Sequence, residues 1–219
     1  MERAPKLFFH LPKTLLACFY GSNLLIQLLA FVLTYLIVVT GFDWGYFLAT
    51  RGTLLKNLFF PAVIVGGVLP LFGLPLLLLI AYLKKALVFQ RVVWMLGQAA
   101  LLGWSVSTFY KVFTGRLQPN LHDQLIDISH TFRFGVLRGG AFWGWPSSHT
   151  SVAFAMALAL VWTYRKQRIV PILAMIYACY IGIGVATVGI HWLSEAVAGA
   201  LIGGVIGFQV GKNFERHSS

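Results

Sequence analysis

Carboxylates are nearly missing from this 219-residue chain, which carries six Asp and Glu against 17 Lys and Arg, a formal net charge of +11. Charged residues make up only 11% of the sequence, 58% is hydrophobic, and the mean hydropathy is +0.80. Such a poverty of charge argues against an ordinary soluble domain. Two cysteines, Cys18 and Cys179, are too few for a disulfide framework; both fall in apolar runs and read as small buried hydrophobes. A Gly-rich Walker loop is missing, so nucleotide hydrolysis of that type has no support. Neither a tandem repeat nor a low-complexity linker occurs. Strict period-2 alternation is also absent, which argues against an outer-membrane barrel.

What the chain has instead is long apolar runs. Six stretches reach the ~20 residues that a bilayer span needs: roughly 15–40, 57–83, 92–113, 148–164, 169–189 and 192–211. The fourth is the shortest. Lipid offers the backbone no hydrogen-bond partners, so each is expected to be helical. The expected fold is therefore an all-α integral membrane protein, a single domain over 1–219 built as a six-transmembrane-helix bundle. The first run is too long for a signal-peptide core and lacks a small-residue cleavage site, so it reads as a retained span.

The positive charge is a topology signal before it is a binding signal, and it gives no reason to expect nucleic acid. Eleven basic residues fall in alternate connections: Arg3, Lys6 and Lys13, then Lys84, Lys85 and Arg91, then Arg165, Lys166 and Arg168, then Lys212 and Arg216. The positive-inside rule makes that side cytoplasmic. Arg51, Lys56, Lys111, Arg116, Arg133 and Arg138 are left on the outer side, with the longest connection, residues 114–147. A connection of that length is often functional.

Scarce polar residues gather on this outer side. His191 and Glu195, four apart, suit one face of a helix, where a carboxylate holds the imidazole tautomer and leaves the other ring nitrogen free. Glu195 is the only acid in any of the six predicted spans. In "PSSHT", Pro146 stops any preceding helix, Ser147 is a candidate N-cap, and His149 stands beside free N–H groups suited to an anion. Lys111 lies near the outer end of the third span, with Arg116 just beyond. Two histidines, an acid, a helix N-terminus and cations together point to phosphoryl transfer.

At these residues the chain resembles the type 2 phosphatidic acid phosphatase superfamily, lipid phosphate phosphatases related to vanadium haloperoxidases. That family carries K-x6-R-P, P-S-G-H and S-R-x5-H-x3-D on a six-helix core. Here the order and spacing run from Lys111 to Glu195: Lys111 with Gln118-Pro119, then Pro146-Ser147-Ser148-His149, then Gly184-Val185 with His191 and Glu195. Gln118 and Val185 stand where the family has arginines, Ser148 where it has glycine, and Glu195 where it has aspartate. The resemblance implies His191 as nucleophile oriented by Glu195, His149 as leaving-group acid, and Lys111 on the phosphate; Ser147 and Ser148, at the start of the fourth helix, are further phosphate-binding candidates. It implies neither a metal nor another cofactor.

Arg116 and Arg138, with Arg133 more distant, are the candidates to replace the missing arginines. The implied partners are a lipid phosphate or pyrophosphate substrate and the bilayer. The expected location is a bacterial inner membrane with the active site facing the periplasm. A head-group phosphotransferase with a His-His-acid set, or a silent lipid-phosphate binder, is the alternative; a transporter ranks last, since Pro61, Pro70 and Pro75 break only one span. His122, Asp123, Asp127 and His130 read as a solvated segment rather than a metal site. Trp143 and Trp145 read as interface anchors that also suit lipid access, and Gly199, Gly203 and Gly207 as a helix-packing stripe.

Overall fold

The computed structural model describes residues 7–119, 126–139 and 141–215. Five of its helical segments are long and apolar enough to cross a membrane: Ser22–Val39, Leu54–Leu83, Leu87–Phe113, Ile169–Val188 and Leu193–Glu215. The sixth apolar helix, Ser148–Thr163, has 16 residues, about 24 Å at 1.5 Å per residue. In chain order the helices are α1 (Leu11–Ala17), α2 (Ser22–Val39), α3 (Phe42–Thr50), α4 (Leu54–Val68), α5 (Leu74–Leu83), α6 (Leu87–Phe113), α7 (Ser148–Thr163), α8 (Ile169–Val188) and α9 (Leu193–Glu215).

Several boundaries differ from the sequence expectation. The first apolar run is cut in two, because Gly21 takes φ 61° between α1 and α2, a conformation glycine adopts without steric cost. Asn23 caps the broken end by donating to Ala17 O at 2.7 Å. Cys18 is buried as expected but lies outside α2, and Cys179 is exposed on α8 rather than buried. The stretch 41–56, between the first two predicted spans, contains α3. Between α4 and α5 the backbone widens into a π-helical turn at Leu69–Gly73. Pro61, Pro70 and Pro75 withhold N–H donors along this segment, the usual origin of such breaks. The long connection contains a short antiparallel pair, β1 (Thr114–Arg116) and β2 (Phe132–Phe134), with Gly115 opposite Arg133.

Helices α7 and α9 form the centre. An added Cβ at Gly199 would come within 2.7 Å of Ser147 O, and one at Gly203 or Gly207 would strike Ser151 O or Ala155 O. The expected glycine stripe thus lets the α9 backbone lie directly on the carbonyls of α7, the close approach that small residues allow in membranes. Around this pair, α6 and α8 are half-buried, while α2 and the α4–α5 segment turn leucines, valines and phenylalanines outward. That outer surface is apolar because its solvent is hydrocarbon.

Trp145 is a correction. It is not an interface anchor but one of the most buried large side chains, with its indole N–H on Thr34 Oγ1 at 2.7 Å and its ring against Phe31 and Tyr110. Trp143 is exposed, as an anchor requires.

Candidate active site

The site forms where the N-terminal ends of α7 and α9 meet. Ser147 precedes α7 and accepts from Thr150 N on its side-chain oxygen, while its own N–H donates to Glu195 O at 3.1 Å. This bond ties the two helix starts together. Ser148 follows, and its hydroxyl accepts from Lys111 Nζ at 2.8 Å; Ser107 Oγ is 2.9 Å away. Lys111 also donates to Phe142 O at 3.2 Å. The ammonium is buried, held at the top of α6 by two oxygens with a third donor position still to use.

His191 stands just before α9 rather than on it, yet the expected pairing forms: His191 Nδ1 lies 2.6 Å from Glu195 Oε2. That leaves Nε2 as the free nitrogen. His149 and His191 face each other edge to face, ring centroids 5.9 Å apart. His149 packs on Gly66 and Gly67 at the end of α4, and its Nδ1 is buried with no hydrogen-bond partner among the described residues. Burial first, then the positive charges of Lys111 and Arg116, hold His191 well below the usual histidine pKa. A neutral imidazole has a lone pair to offer, which nucleophilic attack requires.

A cavity of about 940 Å³ opens beside these groups. Lys111, Ser148, His149 and His191 line its polar end; Pro70, Leu74, Leu78, Ala100 and Trp104, among other apolar residues, line the rest. One end suits an anion and the remainder suits hydrocarbon.

The remaining sequence candidates lie elsewhere. Arg138 is exposed, with its side chain beside Gly135, and does not line the cavity; Arg133 is exposed as well. Arg116 is fully buried but points away from the cavity, behind Glu195: it contacts Asp43 Oδ2 at 2.7 Å and Glu195 Oε1 at 3.5 Å. Gln118, in an arginine's place, lies beside Glu195 too. With its amide assigned from the hydrogen-bond network, its oxygen accepts from Gly144 N at 3.1 Å and its nitrogen donates to Ile190 O at 2.6 Å and Glu195 Oε2 at 3.2 Å. Val185 is buried in the apolar core. Asp127 is half-buried and His130 exposed, 4.0 Å apart; His122 and Asp123 lie outside the described residues. Asp43 had no signal in the sequence, where it was one acid in a connection with no motif around it.

Residues 91–216, more than half of the chain, match the model of the PAP2 superfamily. The chain belongs to that superfamily. A lipid A 4'-phosphatase from Bacteroides thetaiotaomicron is 32% identical over 103 residues, a match that covers 47% of this chain and 44% of that protein. The chain thus spans less than half the length of that curated relative. In fold it is similar to the crystal structure of a transmembrane PAP2 type phosphatidylglycerolphosphate phosphatase from Bacillus subtilis, with TM-score 0.59, 20% identity, and coverage of 90% and 96% of the two chains. With its apolar helices, membership of this superfamily makes the chain a multi-pass membrane protein.

Proposed function

We propose that the protein removes phosphate from a membrane lipid phosphate or pyrophosphate through a phosphohistidine on His191. The observation that carries this reading is the pair of imidazoles at 5.9 Å beside Lys111, at the polar end of an otherwise apolar cavity. Rings more than about 10 Å apart would leave one phosphoryl group unable to reach both at hydrogen-bond distance. His191 Nε2 attacks phosphorus, and the bond from phosphorus to the lipid oxygen breaks. Protonated His149 gives its proton to that departing oxygen. Water then attacks the phosphohistidine, loses a proton to His149, and frees inorganic phosphate. Lys111, the hydroxyl of Ser148 and the first amides of α7 meet the charge that builds on the phosphoryl oxygens. The lipid tail stays in the apolar part of the cavity. The distribution of Lys and Arg supports a site at the outer leaflet, and the membrane we propose is a bacterial inner one with the site facing the periplasm.

One observation favours a second reading. Among the described residues Lys111 is the only lysine or arginine lining the cavity, and Gln118 and Val185 hold the places of two family arginines. A site with so little positive charge also suits transfer of a head group to an alcohol, or binding without turnover.

Phosphate release by the purified protein from a panel of lipid phosphates, beside His191→Ala, tests the first reading: release is expected from the parent and none from the variant. A transferase releases little phosphate until an acceptor alcohol is added. Parent and variant equally inert with every substrate and acceptor would sink both enzymatic readings.

A further inference from the structure

We propose that Asp43 and Arg116 are positioning residues, an ion pair that fixes Glu195 so that it can hold His191 in its attacking orientation. The inference rests on the reading of His191 as nucleophile. Glu195 is fully buried, and its two oxygens do different things. Oε2 takes His191 Nδ1 at 2.6 Å, while Oε1 faces Arg116 NH1 at 3.5 Å. A lone buried carboxylate is free to rotate and costly to desolvate. One anchored at both oxygens presents a single geometry to the imidazole.

Arg116 is held on every other side. Its Nε donates to Ser129 O at 2.9 Å, NH1 to Ser194 Oγ at 2.9 Å, and NH2 to Asp43 Oδ2 at 2.7 Å and also to Ser129 O. The rings of Phe132 and Trp192 flank the guanidinium at 4.7 and 5.4 Å. A planar fork fixed this way has little freedom left. It reaches no cavity surface, so it does not act on phosphate directly.

Asp43 does a second job. The residue before α9 is Trp192, which has no side-chain oxygen with which to cap a helix. Asp43 supplies the cap from α3: Oδ1 accepts from Ser194 N at 2.8 Å, and Oδ2 from Ser194 Oγ at 2.5 Å. An orphan amide in the first turn of α9 is thereby satisfied, one residue before Glu195. The same carboxylate therefore sets both the start of the helix that carries Glu195 and the arginine behind it.

The test uses the full purified chain with 15N-labelled histidine. In the parent, the proton on His191 Nδ1 is expected to give a far-downfield resonance, assigned by its loss in His191→Ala. In Asp43→Asn and in Arg116→Gln that resonance is expected to move upfield or broaden away, with Arg116→Lys intermediate. In the same variants kcat is expected to fall roughly 10–100-fold, the scale seen when an outer partner orienting a ligating or reacting imidazole is removed, while KM changes by no more than about threefold because no phosphate contact is lost. If a charge variant fails to elute as a folded species, Ser194→Ala removes the bridging hydroxyl with both charges kept, and a smaller change in the same direction is expected. An unchanged His191 resonance in folded Asp43→Asn and Arg116→Gln would overturn the proposal, with or without measurable turnover. A parent that releases no phosphate would instead count against the reading of the site, a result the resonance does not depend on.

Discussion

Lys111 is the single lysine or arginine lining the cavity among the described residues, so phosphate affinity should hinge on it. Lys111→Ala is expected to lower kcat/KM by roughly 10²–10³-fold, as loss of a charge stabiliser does. Arg138→Ala should stay within about threefold, since that side chain is exposed away from the cavity; the two rates measured side by side decide the matter. The depressed value of His191 has its own consequence. An ordinary histidine titrates near 6.5, so at pH 6 such a residue is mostly protonated, whereas His191 should still be neutral by NMR. Since its folded value lies below the unfolded one, stability is complete above about pH 6.5 and declines as pH falls, where the unfolded chain takes up the proton first. At this scale the sequence was legible wherever a polar residue was out of place. His149, His191, Glu195, Lys111, Ser147 and Ser148 stood out against an apolar background, and the structure brings them together. Asp43 was not legible, because its meaning comes from Arg116, 73 positions away. The sequence singles out Arg116 but not where it points: nothing in "TGRLQP" announces that Ser129, Phe132 and Asp43 enclose it.

Helices α7 and α9 touch backbone to backbone, and that contact carries a sharp expectation. Gly203→Val would place methyl groups on Ser151 O and force the helices apart, and overpacking of this kind costs about 1–3 kcal/mol or more. At Gly204, the next residue, an added Cβ would meet only Leu158 Cγ, at 4.0 Å. Thermal unfolding in detergent should show a clear drop in Tm for Gly203→Val and almost none for Gly204→Ala. Activity should fall with the former, since the same contact sets Ser147 against Glu195. The stripe was readable because its four-residue spacing is a property of any close-packed helix. The break at Gly21 and the helix α3 were not. Hydropathy alone does not separate a glycine that continues a helix from one that turns it, and the nine residues of α3 sit in a stretch mixed in polarity.

Across the whole molecule, α3, the β1–β2 pair and the first turns of α7 and α9 all meet at one end of the bundle. If the Lys and Arg bias orients the chain as proposed, a cysteine at the exposed Val136 should react with an impermeant reagent from outside, in a Cys179→Ser background. A cysteine at Lys166 should react only once the cytoplasmic side is opened, and the reverse pattern would invert the topology. The placement of Asp43 also bears on how the protein is made. Its carboxylate is made with α3, but Ser194, 151 positions later, and Glu195 after it belong to α9. Before α9 is made, Asp43 and Arg116 lack Ser194 and Glu195 as partners. The proposed site is therefore complete only once α9 is in place, and a chain halted before that helix is expected to release no phosphate.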